Sequence, residues 1–144
     1  MNSDIKNPKC SLCVYSSLIF ITNVFLALYY NHYFYALLFL CLTITSVIHH
    51  TYNTFYTNII DKIFVYSIIF YGGYIFYNKY KDINDINDIK SISIITTFLL
   101  VVFLYAYGYL TDNYSFHPSQ DVSQMYHSWL HIISSIGHHF IILL

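Results

Sequence analysis

The sequence predicts an all-α integral membrane domain, a bundle of about five helices that each cross a bilayer. Two observations predict it. Apolar residues run in continuous stretches of about 18 to 20, the length that covers a hydrocarbon core of roughly 30 Å. Only 9% of the 144 residues are charged while 57% are hydrophobic, against roughly 25% charged in an ordinary soluble domain. The stretches are unbroken rather than alternating, which excludes a β-barrel. Helices satisfy their backbone groups within the segment, as lipid demands.

The stretches fall at about 11–30, 33–50, 59–78, 93–110 and 125–144. The first follows Lys6 and Lys9, is too long for a signal-peptide core and lacks a small-residue cleavage site, so it reads as a retained span. Asn31 and His32 alone join it to the second, which predicts a tight hairpin. A loop from Thr51 to Asn58 leads to the third span, which opens near Asp61 and Lys62. Lys79 to Lys90 carries an Asp-Ile-Asn repeat in which three Lys balance three Asp, the mark of a solvated loop. Residues 111–124 form the last loop, broken by Pro118, and the fifth span follows. Residues 1–144 therefore read as one multi-pass domain with almost nothing outside the lipid.

Tyr29, Tyr30, Tyr33, Tyr77, Tyr80, Tyr107 and Tyr109 cluster near span ends, as an interfacial aromatic belt would. The absence of Glu and Arg, with Ile, Asn and Tyr abundant, reads as coding bias toward AT-rich codons. A net charge of −1 implies no nucleic-acid partner. Lys6, Lys9 and Lys62 fall on one side and Lys79, Lys81 and Lys90 on the other, so the positive-inside rule returns a tie. Asn113-Tyr114-Ser115 has the form of a glycosylation sequon close to the membrane. Cys10, Cys13 and Cys41 make no disulfide framework, and the Cys10-x-x-Cys13 pair lacks two further zinc ligands, so both read as small apolar side chains.

Five polar residues stand at the ends of apolar stretches: Ser46, His50, Asp61, His127 and His131. Span two ends on one membrane face, span three starts there, and by parity span five starts there too. All five residues thus arrive at one depth. Ser46 and His50 are four apart, as are His127 and His131, so each pair shares a helix face. The second pair has the spacing by which one helix offers two imidazoles to one metal. Three imidazoles around Zn²⁺ leave a fourth position for water, whose pKa the metal lowers to about 7. Asp61 would exchange the proton, and Ser46 would hydrogen-bond Asp61 or a developing oxyanion. Each residue alone has a bland reading: interfacial histidines bind water, an Asp opens a helix, and Ser packs helices. Their convergence is what speaks for function, since ionisable residues within spans are functional by default. His49 lies about 100° from His50 on the helix, so only one of them binds. His138 is two turns from His131, too far for the same metal, and His139 and His117 read as interfacial.

At these residues the chain resembles the CREST superfamily, which includes alkaline ceramidases, progestin/adiponectin-type receptors and myomaker-like proteins. Its signature of Ser-x3-His, then Asp, then His-x3-His is matched by Ser46 to His50, by Asp61 in Asn58-Ile-Ile-Asp-Lys, and by His127-Ser-Trp-Leu-His131. Ile21-Thr-Asn23-Val-Phe-Leu-Ala-Leu28 is similar to the ceramidase first span. The resemblance implies zinc held by His50, His127 and His131, with Asp61 and Ser46 completing a catalytic site for a lipid amide or ester. It also implies seven helices, where five are found. Loss of two between the third and the last keeps the parity, and a homo-oligomer sharing a wall would rebuild a lipid pocket. Where ceramidases carry an acidic calcium ligand stands Ser16, so no calcium site is expected.

Three hypotheses follow. The first is a zinc-dependent intramembrane hydrolase of a membrane lipid. The second is a non-catalytic, zinc-stabilised bundle acting in signalling, fusion or assembly. The third, a bis-histidine haem protein, is disfavoured because His127 and His131 lie on one helix face while axial ligands must come from opposite sides of the ring.

Overall fold

The computed structural model describes residues 11–81 and 89–144. The tail with Lys6, Lys9 and Cys10, and the Asp-Ile-Asn loop over 82–88, lie outside the described residues. The described residues are all-α, without a strand: α1 (Ser11–Ser17), α2 (Phe20–Tyr29), α3 (Tyr33–Tyr52), α4 (Phe55–Lys81), α5 (Ile89–Thr111), a 3-10 turn (Tyr114–Phe116) and α6 (Gln120–Leu143). Four stretches among them are long and apolar enough to cross a membrane: Leu12–Tyr29, Tyr33–Tyr52, Phe55–Lys81 and Ile89–Phe116. Their outer faces expose large apolar side chains such as Phe25, Phe70, Leu99 and Leu110, which suits contact with lipid. At 24 residues, α6 has the length to join them, but its four histidines and four serines lower its hydropathy.

The first stretch is interrupted at Leu18 and Ile19, between α1 and α2. Ser16 and Ser17 turn their hydroxyls back onto the Cys13 carbonyl, at 3.1 and 2.7 Å. Such bonds loosen a helix locally. The backbone then tightens: Leu18 N–H donates to Tyr15 O and Ile19 N–H to Ser16 O, both at 3.2 Å. Cys13 is disulfide-bonded, which corrects the reading of it as a plain apolar side chain; its partner lies outside the described residues. Cys41 is free.

The connections are short. Asn31, at φ 61°, turns α2 into α3, and His32 N–H reaches back to Ala27 O at 2.8 Å. α3 ends on Asn53, whose left-handed φ of 46° lets its N–H donate to His49 O at 2.7 Å, a common helix C-terminus. α4 begins at once, before the expected loop has run its course. The cause is a reciprocal cap: Thr57 N–H donates to Thr54 Oγ1 and Thr54 N–H to Thr57 Oγ1, at 3.3 and 3.0 Å. Thr57 takes the part that Glu usually plays in this motif.

α3 packs between α2 and α4, α1 lies against α3 and α6, and α5 leans on α6 and the 3-10 turn. The core joins Phe20, Tyr35, Phe39, Ile68 and Ile142. At the far end of α6, Lys79 donates to Ile141 O and Ile142 O at 3.2 and 3.0 Å, and Lys90 to Leu143 O at 3.0 Å. These cations satisfy carbonyls that a helix C-terminus leaves free and oppose its dipole.

α4 approaches the core closely at Gly72. A Cβ there would stand 2.5 Å from the Tyr35 hydroxyl and 3.0 Å from His138, whereas a Cβ at Gly73 meets nothing within 4 Å. Gly72→Ala should therefore destabilise the fold by about 1–3 kcal/mol through overpacking. Gly73→Ala should be neutral, or stabilising by up to ~1 kcal/mol. Thermal unfolding in detergent micelles compares them; equal melting temperatures for the two variants would contradict the packing described.

Candidate metal centre

His50 lies in the last turn of α3, and His127 and His131 in the first half of α6. The fold brings all three together. One ring nitrogen from each lies within 4.8 Å of the others. Ring centroids are 4.9 Å apart for His50–His127, 5.3 Å for His50–His131 and 4.8 Å for His127–His131. The four-residue spacing on α6 stacks its two imidazoles one turn apart, and the end of α3 supplies the third.

The donor set fits a divalent transition metal. Imidazole nitrogens suit zinc, which holds them at about 2.0–2.1 Å, so nitrogens up to 4.8 Å apart would draw together around one ion. His50 Nε2 is buried and has no hydrogen-bond partner. A buried polar atom left so costs free energy unless something binds it. His131 is prepared differently: its Nδ1 lies 2.8 Å from the Ser16 hydroxyl. Ser16 spends its proton on the Cys13 carbonyl, so its oxygen accepts from Nδ1–H. That fixes the tautomer with the Nε2 lone pair bare, the usual way a ligating histidine is oriented.

Asp61 and Ser46 are both buried, but not joined. Thr45 Oγ1 donates to Asp61 Oδ1 at 3.3 Å. Ser46 Oγ lies 2.9 Å from Ser17 Oγ; since Ser17 donates to Cys13 O, Ser46 is the donor. The expected Ser46–Asp61 hydrogen bond is thus replaced by one from Thr45. The reason is the position of α3 between two neighbours: Ser46 faces α1, and the residue before it, about 100° around the helix, faces α4.

The remaining histidines separate as well. His49 Nδ1 is 3.4 Å from Thr57 Oγ1, outside the trio. His138 lies deeper, its Nδ1 2.5 Å from the Tyr35 hydroxyl. His139 departs from the interfacial reading: its Nδ1–H donates to Ser135 O at 2.7 Å and its Nε2 lies 3.2 Å from Thr22 Oγ1 on α2. His117 Nδ1 accepts the Ser119 N–H at 2.9 Å.

A polar cleft of about 280 Å³ reaches two of the trio, His50 and His127, and is also lined by His49, Ser115 and Gln124. Ser16, Thr45 and Ser115 were not singled out for the site from sequence. Ser16 meets His131 only because the first and last helices pack together, a register that spacing along one chain does not reveal.

Compared with known proteins, the chain matches no family model, no curated protein and no solved structure. Its likeness to the CREST pattern therefore rests on the short three-part motif.

Removing the group behind a ligating histidine typically weakens metal binding by about 10- to 100-fold. Ser16→Ala should weaken zinc binding by that factor, and His131→Ala should abolish it, measured by competition with a chromophoric chelator. Wild-type affinity in Ser16→Ala would contradict the tautomer assigned to His131.

Proposed function

We propose that this chain is a zinc-dependent intramembrane hydrolase of a lipid amide or ester, a shortened relative of the CREST superfamily. The observation that carries the reading is the convergence of His50, His127 and His131 with one buried nitrogen unpartnered. Bound by the three imidazoles, zinc would supply the Lewis acidity that lets water lose a proton near neutral pH.

The chain's own residues do the rest. Ser16 holds His131 with its Nε2 lone pair toward its fellows. Asp61 serves as general base and then general acid, taking a proton from the attacking water and returning it to the leaving nitrogen or oxygen. Thr45 restrains one of its oxygens and leaves the other for that exchange. Ser46 acts through packing, as the hydroxyl that ties α3 to α1. The bilayer places the ester or amide of a membrane lipid at the depth of these groups, and the outward apolar faces hold the domain there.

A second reading, a non-catalytic bundle stabilised by zinc, is favoured by one observation: Ser46 donates to Ser17 rather than standing ready for an oxyanion. Asp61→Asn separates the two. Under the hydrolase reading, turnover of N-acyl or O-acyl lipids in mixed micelles should fall about 10²- to 10⁴-fold while zinc stays bound. Unchanged turnover with zinc in place would leave only the scaffold, and a Soret band in the purified protein would remove zinc from both.

A further inference from the structure

Cys13 is a ligand-type side chain beside the trio that the proposed mechanism does not use. It is 2% exposed and lines the same cleft as His50 and His127. Along the sequence, the cysteines near the first span have no further ligands close by. The fold supplies them by packing α1 against α6. Cys13 Sγ lies 3.6 Å from Gln124 O and 3.9 Å from Ser128 Oγ, and these residues stand on either side of His127 in α6. One turn further along α1, Ser16 accepts a hydrogen bond from His131 Nδ1 and anchors its own proton on the Cys13 carbonyl. Cys13 thus adjoins both α6 members of the trio, one through its sulfur and the other through its carbonyl.

The sulfur is half of a disulfide, whose partner lies outside the described residues. In that form it has no hydrogen to donate and no charge to offer a metal. Its surroundings nevertheless suit the reduced form. A thiol is a weak donor, and Gln124 O is the nearest acceptor. A thiolate in a buried place needs a donor, and the Ser128 hydroxyl is at hand. Cysteine otherwise behaves as a small hydrophobe, and oxygens beside its sulfur are not what that role asks for.

Three imidazoles fill three of the four tetrahedral positions of zinc. A site left open at the fourth is catalytic, and a site closed by a fourth protein ligand is structural. We propose that Cys13 is a redox-controlled fourth ligand of the trio. As a disulfide it leaves the open position to water and substrate. A dithiol that reduces the bond gives up two electrons and two protons, closes into its own disulfide, and leaves two thiols on the chain. The Cys13 thiol then sheds its proton to solvent, and its thiolate takes the open position, since soft sulfur suits this metal. The centre passes from a hydrolytic to a structural form. This rests on the hydrolase reading and adds its regulation: the oxidised chain turns over substrate and the reduced chain does not.

The test uses the full chain in nanodiscs with cobalt(II) as the probe, because a thiolate ligand gives cobalt a near-ultraviolet charge-transfer band that imidazoles do not. Oxidised wild type should bind cobalt without the band. After treatment with a dithiol and its removal, the band should appear and zinc affinity should rise roughly tenfold, a thiolate having replaced water. Reoxidation should reverse both, which makes the result independent of how any variant folds. Cys13→Ser should lack the band in either state, and Cys41→Ser should behave as wild type. Reduced wild type without the band, a band that survives in Cys13→Ser, or one lost in Cys41→Ser would each overturn the assignment. Lipid turnover that continues while the band is present would overturn the regulation. Absence of turnover in both states, with the band still switching, would instead overturn the hydrolase reading and leave Cys13 as a ligand. Cobalt bound by neither state would overturn both.

Discussion

The structure depends on the cost of leaving a polar group unpaired in an apolar setting. Helices this greasy have little to gain by burying one more leucine against another in lipid, where the tails are equally apolar. Polar side chains have much more at stake, because each unmet donor or acceptor costs on the order of 1–3 kcal/mol. The chain answers by pairing them across helices. Ser17 meets Ser46, Thr45 meets Asp61, Asn23 meets Ser135, and Tyr35 meets His138. These contacts tie α1 to α3, α3 to α4, α2 to α6 and α3 to α6. The extensive α2–α3 and α5–α6 contacts lie outside this set of pairs.

α6 is where this constraint gathers. His127, His131, Ser135 and His139 recur every four residues, so they form a stripe that drifts slowly around the helix. The stripe meets α3 and α1 at one end and α2 at the other, through His50, Ser16 and Thr22 in turn. A helix with such a stripe is poorly suited to face lipid on that side, which accounts for its place against α1 and α2. The same composition lowers its hydropathy, so interior position and modest hydropathy have one cause. Lys79 and Lys90 then close its far end. His127 and His131 sit near its start, and a helix with a fixed far end holds their rings steady.

Much of this was legible in the sequence. Long apolar stretches gave the helices, and parity with four-residue spacing placed His50, His127 and His131 at one depth, because helical phase and chain direction are local properties. What the sequence left hidden is set by tertiary neighbours. The choice between Thr45 and Ser46 as the partner of Asp61 depends on which side of α3 faces α4. The interruption at Leu18 accompanies two serines folding onto one carbonyl, a pattern equally compatible with a continuous helix. The early start of α4 needed Thr57 to act as a Glu would. Ser115 stood out in the sequence only as the end of a glycosylation sequon, since a loop hydroxyl is ordinary until its surroundings remove its partners.

The smallness of the bundle bears on what the site requires. The trio is built from α3 and α6, and its nearest support from α1, so three elements suffice to bring the imidazoles together. Asp61 stands on α4, where Thr45 donates to it, and Ser115 in the 3-10 turn lines the cleft with His50 and His127. None of these contributions calls on a helix beyond those present. In the proposed reading, the two spans that a seven-helix relative would have in addition serve the apolar part of a substrate rather than the reacting groups. The polar cleft agrees with that division, because its lining has hydrogen-bonding groups and no large aliphatic wall.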